Sequence, residues 1–176
     1  VLETVKLLKG EGPADLEALC LKLGAVALVC AGVQPDLQAA QTVLKQHLED
    51  GSALEKFREL VVTQGGDPYF LQDASLLPQP DRVLMIPAKE QAYVADIDAL
   101  EVAKSAKMVG AGRLTKNSPI NLGVGVLLHK KIGDAVKPGE TLVELYADDK
   151  DHRDAMEVLS NAFRFSPEPV TPPVQR

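Results

Sequence analysis

The chain has few of the residues that cross-link small proteins or bind metals. In 176 residues it has two cysteines, three histidines and no tryptophan, and aromatic side chains make up 4%. So few widely spread histidines and cysteines argue against a zinc site. A net charge of −6 argues against general nucleic-acid affinity, which needs a basic footprint. The composition is otherwise typical of a globular chain with one domain or two small ones.

The two cysteines do not predict a disulfide. Cys20 and Cys30 fall in one apolar stretch with helical periodicity. Their spacing corresponds to about 15 Å along a helix, which is too far for a disulfide bond. We therefore expect two buried thiols in a reducing compartment, and a cytoplasmic location.

Long hydrophobic runs are also missing. The longest candidate, residues 23–33, is shorter than the roughly 20 residues that cross a membrane, and no signal-peptide pattern opens the chain. We therefore expect no membrane partner. Val1 already lies within a helical pattern and has no cap before it, so we interpret this N-terminus as a truncation or cleavage point. A processed natural terminus is the alternative.

The first third of the chain predicts a layer of helices. Asp15 and Asp36 are expected to cap two of them, and Ser52 with Glu55 forms a capping-box pattern for a third. Glycines are placed to end these helices: Gly32, Gly51 and Gly65–Gly66. Because no convincing strand lies among them, the helices need a partner surface.

After a proline-containing stretch the pattern changes to short strands. Strands are predicted over 82–86 and 92–95, a helix from Asp98 to about Met108, strands and turns over 110–147, and an extended proline-rich tail over 166–176. A last helical face is formed by Ala155, Met156, Leu159, Ala162 and Phe163. The predicted division is therefore helices over 1–66, a linker over 67–80 and an α+β module over 81–176.

A region of glycine turns and several short sequence motifs resemble those of a known protein family. Residues 109–145 alternate glycine turns with β-branched runs and hold a Gly-Asp-x-Val-x-x-Gly turn at residues 133–139. The landmarks before it are VLETVKLLKGEG at 1–12, GPADL at 12–16, GSALEKF at 51–57 and QGGDP at 64–68. In this order and spacing they resemble the C-terminal portion of the pyrimidine-nucleoside phosphorylase family, which includes thymidine phosphorylase, and most closely its bacterial type.

The resemblance implies an α/β protein that is α+β within this segment. It implies a helical layer of the family's α/β domain, followed by an α+β C-terminal domain with a barrel-sandwich-like β region. The implied activity is that of a pentosyltransferase in pyrimidine nucleoside salvage. Uridine, thymidine or deoxyuridine is cleaved by inorganic phosphate to the free base and (deoxy)ribose 1-phosphate, without an organic cofactor.

The resemblance also places the chemistry outside this segment. The family's catalytic and substrate-binding groups lie upstream, so no residue here is assigned either role, and this segment is expected to be inactive without the upstream part. Family members are homodimers. Glu3 matches a glutamate that helps to bind potassium in the family, and carboxylate oxygens suit such a hard cation. The alternative is an ordinary solvated glutamate.

Two further segments are candidates for function. The basic triplet His129, Lys130 and Lys131 neighbours a family loop that approaches the cleft as the domains close, whereas a solvated strand-to-turn edge is the simpler interpretation. The Gly110–Arg113 loop follows a helix and lacks the lysine and hydroxyl residue of a P-loop. It is therefore predicted to be a helix C-terminal turn.

A carrier module is the alternative from another functional class. The 133–139 turn followed by Lys150 resembles a lipoyl or biotinyl domain, which presents a modified lysine at a hairpin tip. Such a domain needs a second β half after the lysine, whereas a helical pattern and prolines follow here. The helical surroundings of His47 and His152 predict plain surface positions.

Overall fold

The computed structural model describes residues 1–113 and 115–173 and divides the chain into two compact units. The first unit is Val1–Leu76 and the second is Leu77–Arg176. Residues 174–176, the end of the predicted proline-rich tail, lie outside the described residues, as does residue 114 in the glycine-turn region. None of the described helices is both long enough and apolar enough to cross a membrane.

The first unit is helical. It contains α1 (Leu2–Leu8), α2 (Ala14–Cys30), α3 (Leu37–Glu49) and α4 (Ser52–Thr63), followed by two short 3₁₀ turns, Pro68–Leu71 and Ala74–Leu76. Small residues let α2 and α3 approach closely, since Ala25 and Ala40 are fully buried. A Cβ atom on Gly24 would come within 2.8 Å of Leu44 Cδ1.

Two of the predicted helix caps are wrong. Pro13, not Asp15, occupies the cap position of α2, and Asp15 lies in the first turn. The predicted capping box at the start of α4 does not form, because the Ser52 and Glu55 side chains bind other residues. The Ser52 hydroxyl lies 2.7 Å from His47 Nδ1, and Glu55 accepts hydrogen bonds from Arg58.

The predicted burial of the two thiols is also wrong. Cys20 and Cys30 are both exposed free cysteines. The reason is that the apolar residues of α2 are not confined to one face, whereas the other helices of this unit cover only part of it. Apolar composition therefore did not specify which face would be covered.

The second unit is α+β and contains two three-stranded antiparallel sheets. Its elements are β1 (Arg82–Pro87), β2 (Ala92–Ile97), α5 (Ala99–Ala106), a π turn (Lys107–Ala111), β3 (Gly125–Leu128), β4 (Ala135–Val136), β5 (Thr141–Ala147), α6 (Arg153–Asn161) and β6 (Phe163–Ser166). The strand orders are β1-β5-β3 and β4-β2-β6. The predicted mixture of helix and sheet is confirmed.

The core of this unit is organised around β5, the central strand of its sheet. Leu145 on β5 lies opposite Leu84 of β1 and Val126 of β3, and is fully buried. Helices α5 and α6 join this core, where the Ser105 hydroxyl donates to the Ala155 carbonyl at 2.8 Å. That hydrogen bond satisfies the fully buried serine.

Phe163 lies in a strand, and its prediction as part of a helix is wrong. Helix α6 ends at Asn161, and Phe163 begins β6, which pairs with β2. The ring remains buried in the core. Helical and strand periodicities both place an apolar residue inward at this position, so the tertiary pairing with β2 decides between them.

Candidate functional site

Glu3 supplies one carboxylate near the start of the chain. It lies in the first turn of α1 with an exposed side chain. Among the described residues, no group of three or more histidine, cysteine or acidic side chains could hold a metal ion. Glu3 therefore fits a hard cation only as a single ligand that needs others from elsewhere.

The basic triplet lies where β3 passes into the next turn. The backbone amides of His129 and Lys130 both donate to the Leu142 carbonyl, at 2.9 and 3.2 Å. The amide of Lys131 donates to Asp134 Oδ2 at 2.7 Å. Asp134, the aspartate of the Gly-Asp-x-Val turn, thus links that turn to the basic triplet through a hydrogen bond.

Carboxylates on β5 and directly before it bind the first two basic residues. His129 Nε2 lies 3.1 Å from Glu144 Oε1, and the Tyr146 hydroxyl donates to the other oxygen of Glu144 at 2.8 Å. This hydrogen bond raises the pKa of Tyr146. Lys130 donates to Glu140 at 2.9 Å and lowers the pKa of that carboxyl group. Two of the three basic side chains are therefore held close to the sheet.

A second charged group follows β5 and was missed at the sequence level. The Asp148 carboxylate accepts from Lys150 Nζ at 2.6 Å and lies 2.5 Å from His152 Nε2. The His152 side chain is 8% exposed, so its prediction as a surface residue is wrong. The spacing Asp148-x-x-x-His152 was the only sequence feature that could have predicted this pair. The two side chains meet because the chain turns between the end of β5 and the start of α6.

Lys150 and His152 strongly lower the pKa of Asp148. The hydrogen bond from Lys150, and then that from His152, lowers the pKa of Asp148 from 3.8 to about 2. Both bonds favour the ionised carboxylate. The same bond raises the pKa of Lys150.

Replacing Asp148 by asparagine is therefore expected to lower stability in a pH-dependent way. Because the carboxyl pKa is lower in the folded state, its stabilisation is fully present above pH 3.8 and is lost as the pH falls through about 2. The difference between the urea midpoints of wild type and Asp148→Asn should shrink over that interval.

Asp149→Asn is the matched control for this experiment. Asp149 is the exposed neighbour and makes no hydrogen bond or ion pair with another described residue. Its replacement should leave the urea midpoint nearly unchanged across the same pH range. A constant midpoint difference for Asp148→Asn between neutral pH and pH 2 would contradict the argument.

An open cleft of about 420 Å³ lies beside Asp148. Gly110 lies within the π turn on one side of it with φ +102°, and its carbonyl accepts from the Asn121 amide at 2.9 Å. The prediction of a helix C-terminal turn at Gly110–Arg113 is thus confirmed. The ionisable residues that line the cleft are Lys107, Asp148, Lys150 and His152.

Comparison with known proteins covers almost the whole chain. Residues 93–166 match the family model of the pyrimidine nucleoside phosphorylase C-terminal domain. The chain is 42% identical over 173 residues to pyrimidine-nucleoside phosphorylase of Geobacillus stearothermophilus, an alignment that covers 98% of the chain and 40% of the relative. The corresponding enzyme of Bacillus subtilis is 40% identical over 172 residues, again with 98% and 40% covered. The chain thus spans about two fifths of the length of these relatives.

Proposed function

Because the chain belongs to the pyrimidine-nucleoside phosphorylase family, of which it carries the C-terminal portion, we propose that it serves as this portion of such an enzyme. The single observation that carries the proposal is the 42% identity over 98% of the chain to a protein of that name. The proposed reaction is phosphate-dependent cleavage of uridine, thymidine or deoxyuridine, with inorganic phosphate as co-substrate. The enzyme would act in the cytoplasm as a homodimer.

The helical unit supports an assembly with further protein. Helix α2 exposes a row of apolar side chains at helical spacing: Leu19, Leu23 and Val26. We propose that this row packs against the upstream part of the same protein, as a helical layer of its α/β domain. The second unit, with its two small sheets, would be the barrel-sandwich-like C-terminal domain.

The carrier alternative is not favoured. Lys150 is hydrogen-bonded to Asp148, and it is followed by α6 and by β6, which pairs with β2. A second β half that would complete a lipoyl-type domain is not found among the residues described after Lys150.

A chimeric enzyme tests the proposed function. The matching segment of the Geobacillus enzyme is replaced by this chain, and phosphate-dependent release of uracil and thymine is measured. We expect cleavage by the chimera, but not by this chain by itself or by the Geobacillus enzyme lacking the segment. A chimera that folds but does not cleave, or a chain that cleaves unaided, would overturn the proposal.

The same chimera tests Glu3 as a potassium ligand. We propose that its carboxylate contributes one ligand to a potassium site completed by the upstream part. Glu3→Ala should then raise the potassium concentration needed for half-maximal activity, whereas Glu11→Ala, which removes another exposed carboxylate, should not. Equal potassium dependence of the two variants would assign Glu3 to the solvated surface.

The basic triplet is the proposed contact of the second unit with the closing cleft. Lys131→Ala in the chimera, with altered phosphate affinity, would support that role. Unchanged affinity would favour a solvated turn.

A further inference from the structure

The charge of this protein is distributed unevenly along the chain. The whole chain carries a net charge of −6, yet residues 102–133 contain no aspartate or glutamate. The same segment contains six lysines and arginines: Lys104, Lys107, Arg113, Lys116, Lys130 and Lys131. A segment that carries only positive charges within an acidic protein creates a local positive potential that attracts anions.

Three of these cations have no partner among the described residues. Lys104 pairs with Glu101, and Lys130 pairs with Glu140. Lys107, Arg113 and Lys116, by contrast, form no hydrogen bond or ion pair with any residue that the structure describes. Their positive charge is therefore available to a ligand.

One of these three cations lines the 420 Å³ cleft, and the other two are close in sequence to residues that line it. Lys107 lines it, Arg113 directly follows the lining residue Gly112, and Lys116 precedes the lining residue Ser118 by two positions. The Asp148 carboxylate also lines the cleft, but Lys150 and His152 already satisfy its charge. The balance within the cleft is thus positive.

Two glycines, Gly110 and Gly112, line the cleft. A Cβ atom at Gly110 would lie 3.5 Å from Asn121 Cβ, and one at Gly112 would lie 3.4 Å from Lys107 Cγ. Asn121 and Lys107 both line the cleft. A Cβ atom at either position would therefore be in ordinary van der Waals contact with another residue of the cleft lining.

We propose that this cleft binds a small molecule carrying a phosphate group, either inorganic phosphate or a phosphate monoester. Its volume lies within the range of small-molecule sites. Lysine binds phosphate as a point charge, and arginine offers a planar pair of donors for its oxygens. The buried His152 ring, fixed on Asp148 through Nε2, adds a polar group to the cleft wall.

Titration of the 176-residue chain followed by amide NMR tests the proposal. Inorganic phosphate and ribose 1-phosphate are added separately at low ionic strength. We expect saturable shifts at residues 107–112, 118–121 and 148–152, with an affinity that falls as salt is added. Equal affinities would identify the phosphate group alone as the ligand, and a tighter ribose 1-phosphate complex would add the sugar.

Matched lysine variants separate a site from general charge attraction. Lys107→Gln should weaken binding about tenfold, and Arg113→Gln should weaken it in the same direction. Lys89→Gln is the control, because Lys89 is exposed, has no partner among the described residues and follows Pro87, at the opposite end of β5 from Asp148. Absence of saturable shifts, or equal losses for Lys107→Gln and Lys89→Gln, would overturn the proposal.

Discussion

Replacing Leu145 by alanine is expected to lower the free energy of unfolding of the second unit by about 2–5 kcal/mol. Leu145 is fully buried at the centre of β5, between Leu84 and Val126. Truncation removes its apolar contacts and leaves a cavity that both neighbouring strands are too constrained to close. Urea titration followed by the amide NMR signals of β5 measures the change.

The adjacent strand offers a control with the same chemical change. Leu127 lies on β3 beside β5 but is 42% exposed. Leu127→Ala should cost less than about 1 kcal/mol, because less apolar surface returns to water and no closed cavity forms. Equal losses for the two variants would contradict the central position of Leu145 in the core.

Replacing Gly123 by alanine is expected to cost about 1–3 kcal/mol. A Cβ atom there would lie 2.6 Å from the Gln79 carbonyl oxygen and 2.9 Å from its carbonyl carbon. These are backbone atoms, so relief requires moving the chain segment that leads into β1. The same NMR-detected urea titration measures the loss.

Gly125→Ala tests whether this cost is steric. Gly125 begins β3, two positions further along, and a Cβ atom there would meet nothing within 4 Å. Its replacement should be close to neutral, since it also reduces the freedom of the unfolded chain. A similar loss at both glycines would show that backbone preference, rather than the contact with Gln79, decides the effect.

Local patterns predicted much of the secondary structure because they depend on neighbouring residues. Asp36 caps α3 as expected and Asp98 lies at the predicted start of α5, each with side-chain bonds to amides at the start of its helix. Gly32, Gly51 and Gly65 adopt positive φ at the helix ends. Each of these signals lies within a few residues of the group that it satisfies.

The prediction failed where side chains had a choice of partners. Glu55 pairs with Arg58 instead of the start of its own helix, and Ser52 meets His47. Phe163 satisfies both helical and strand periodicity, and only its pairing with Ile97 on β2 selects the strand. Sequence spacing lists the candidate partners, but relative geometry selects among them.

The sequence by itself determined the family, the α+β character of the second unit and most helix ends. Motif order can be read directly from the sequence, and the hydrogen bonds that end helices join residues only a few positions apart. Only the tertiary structure decided that His152 is buried against Asp148, that Leu145 lies at the centre of the core and that Lys107 lines a positive cleft. Burial and charge balance depend on residues far apart in sequence, which the folded strands and helices bring together.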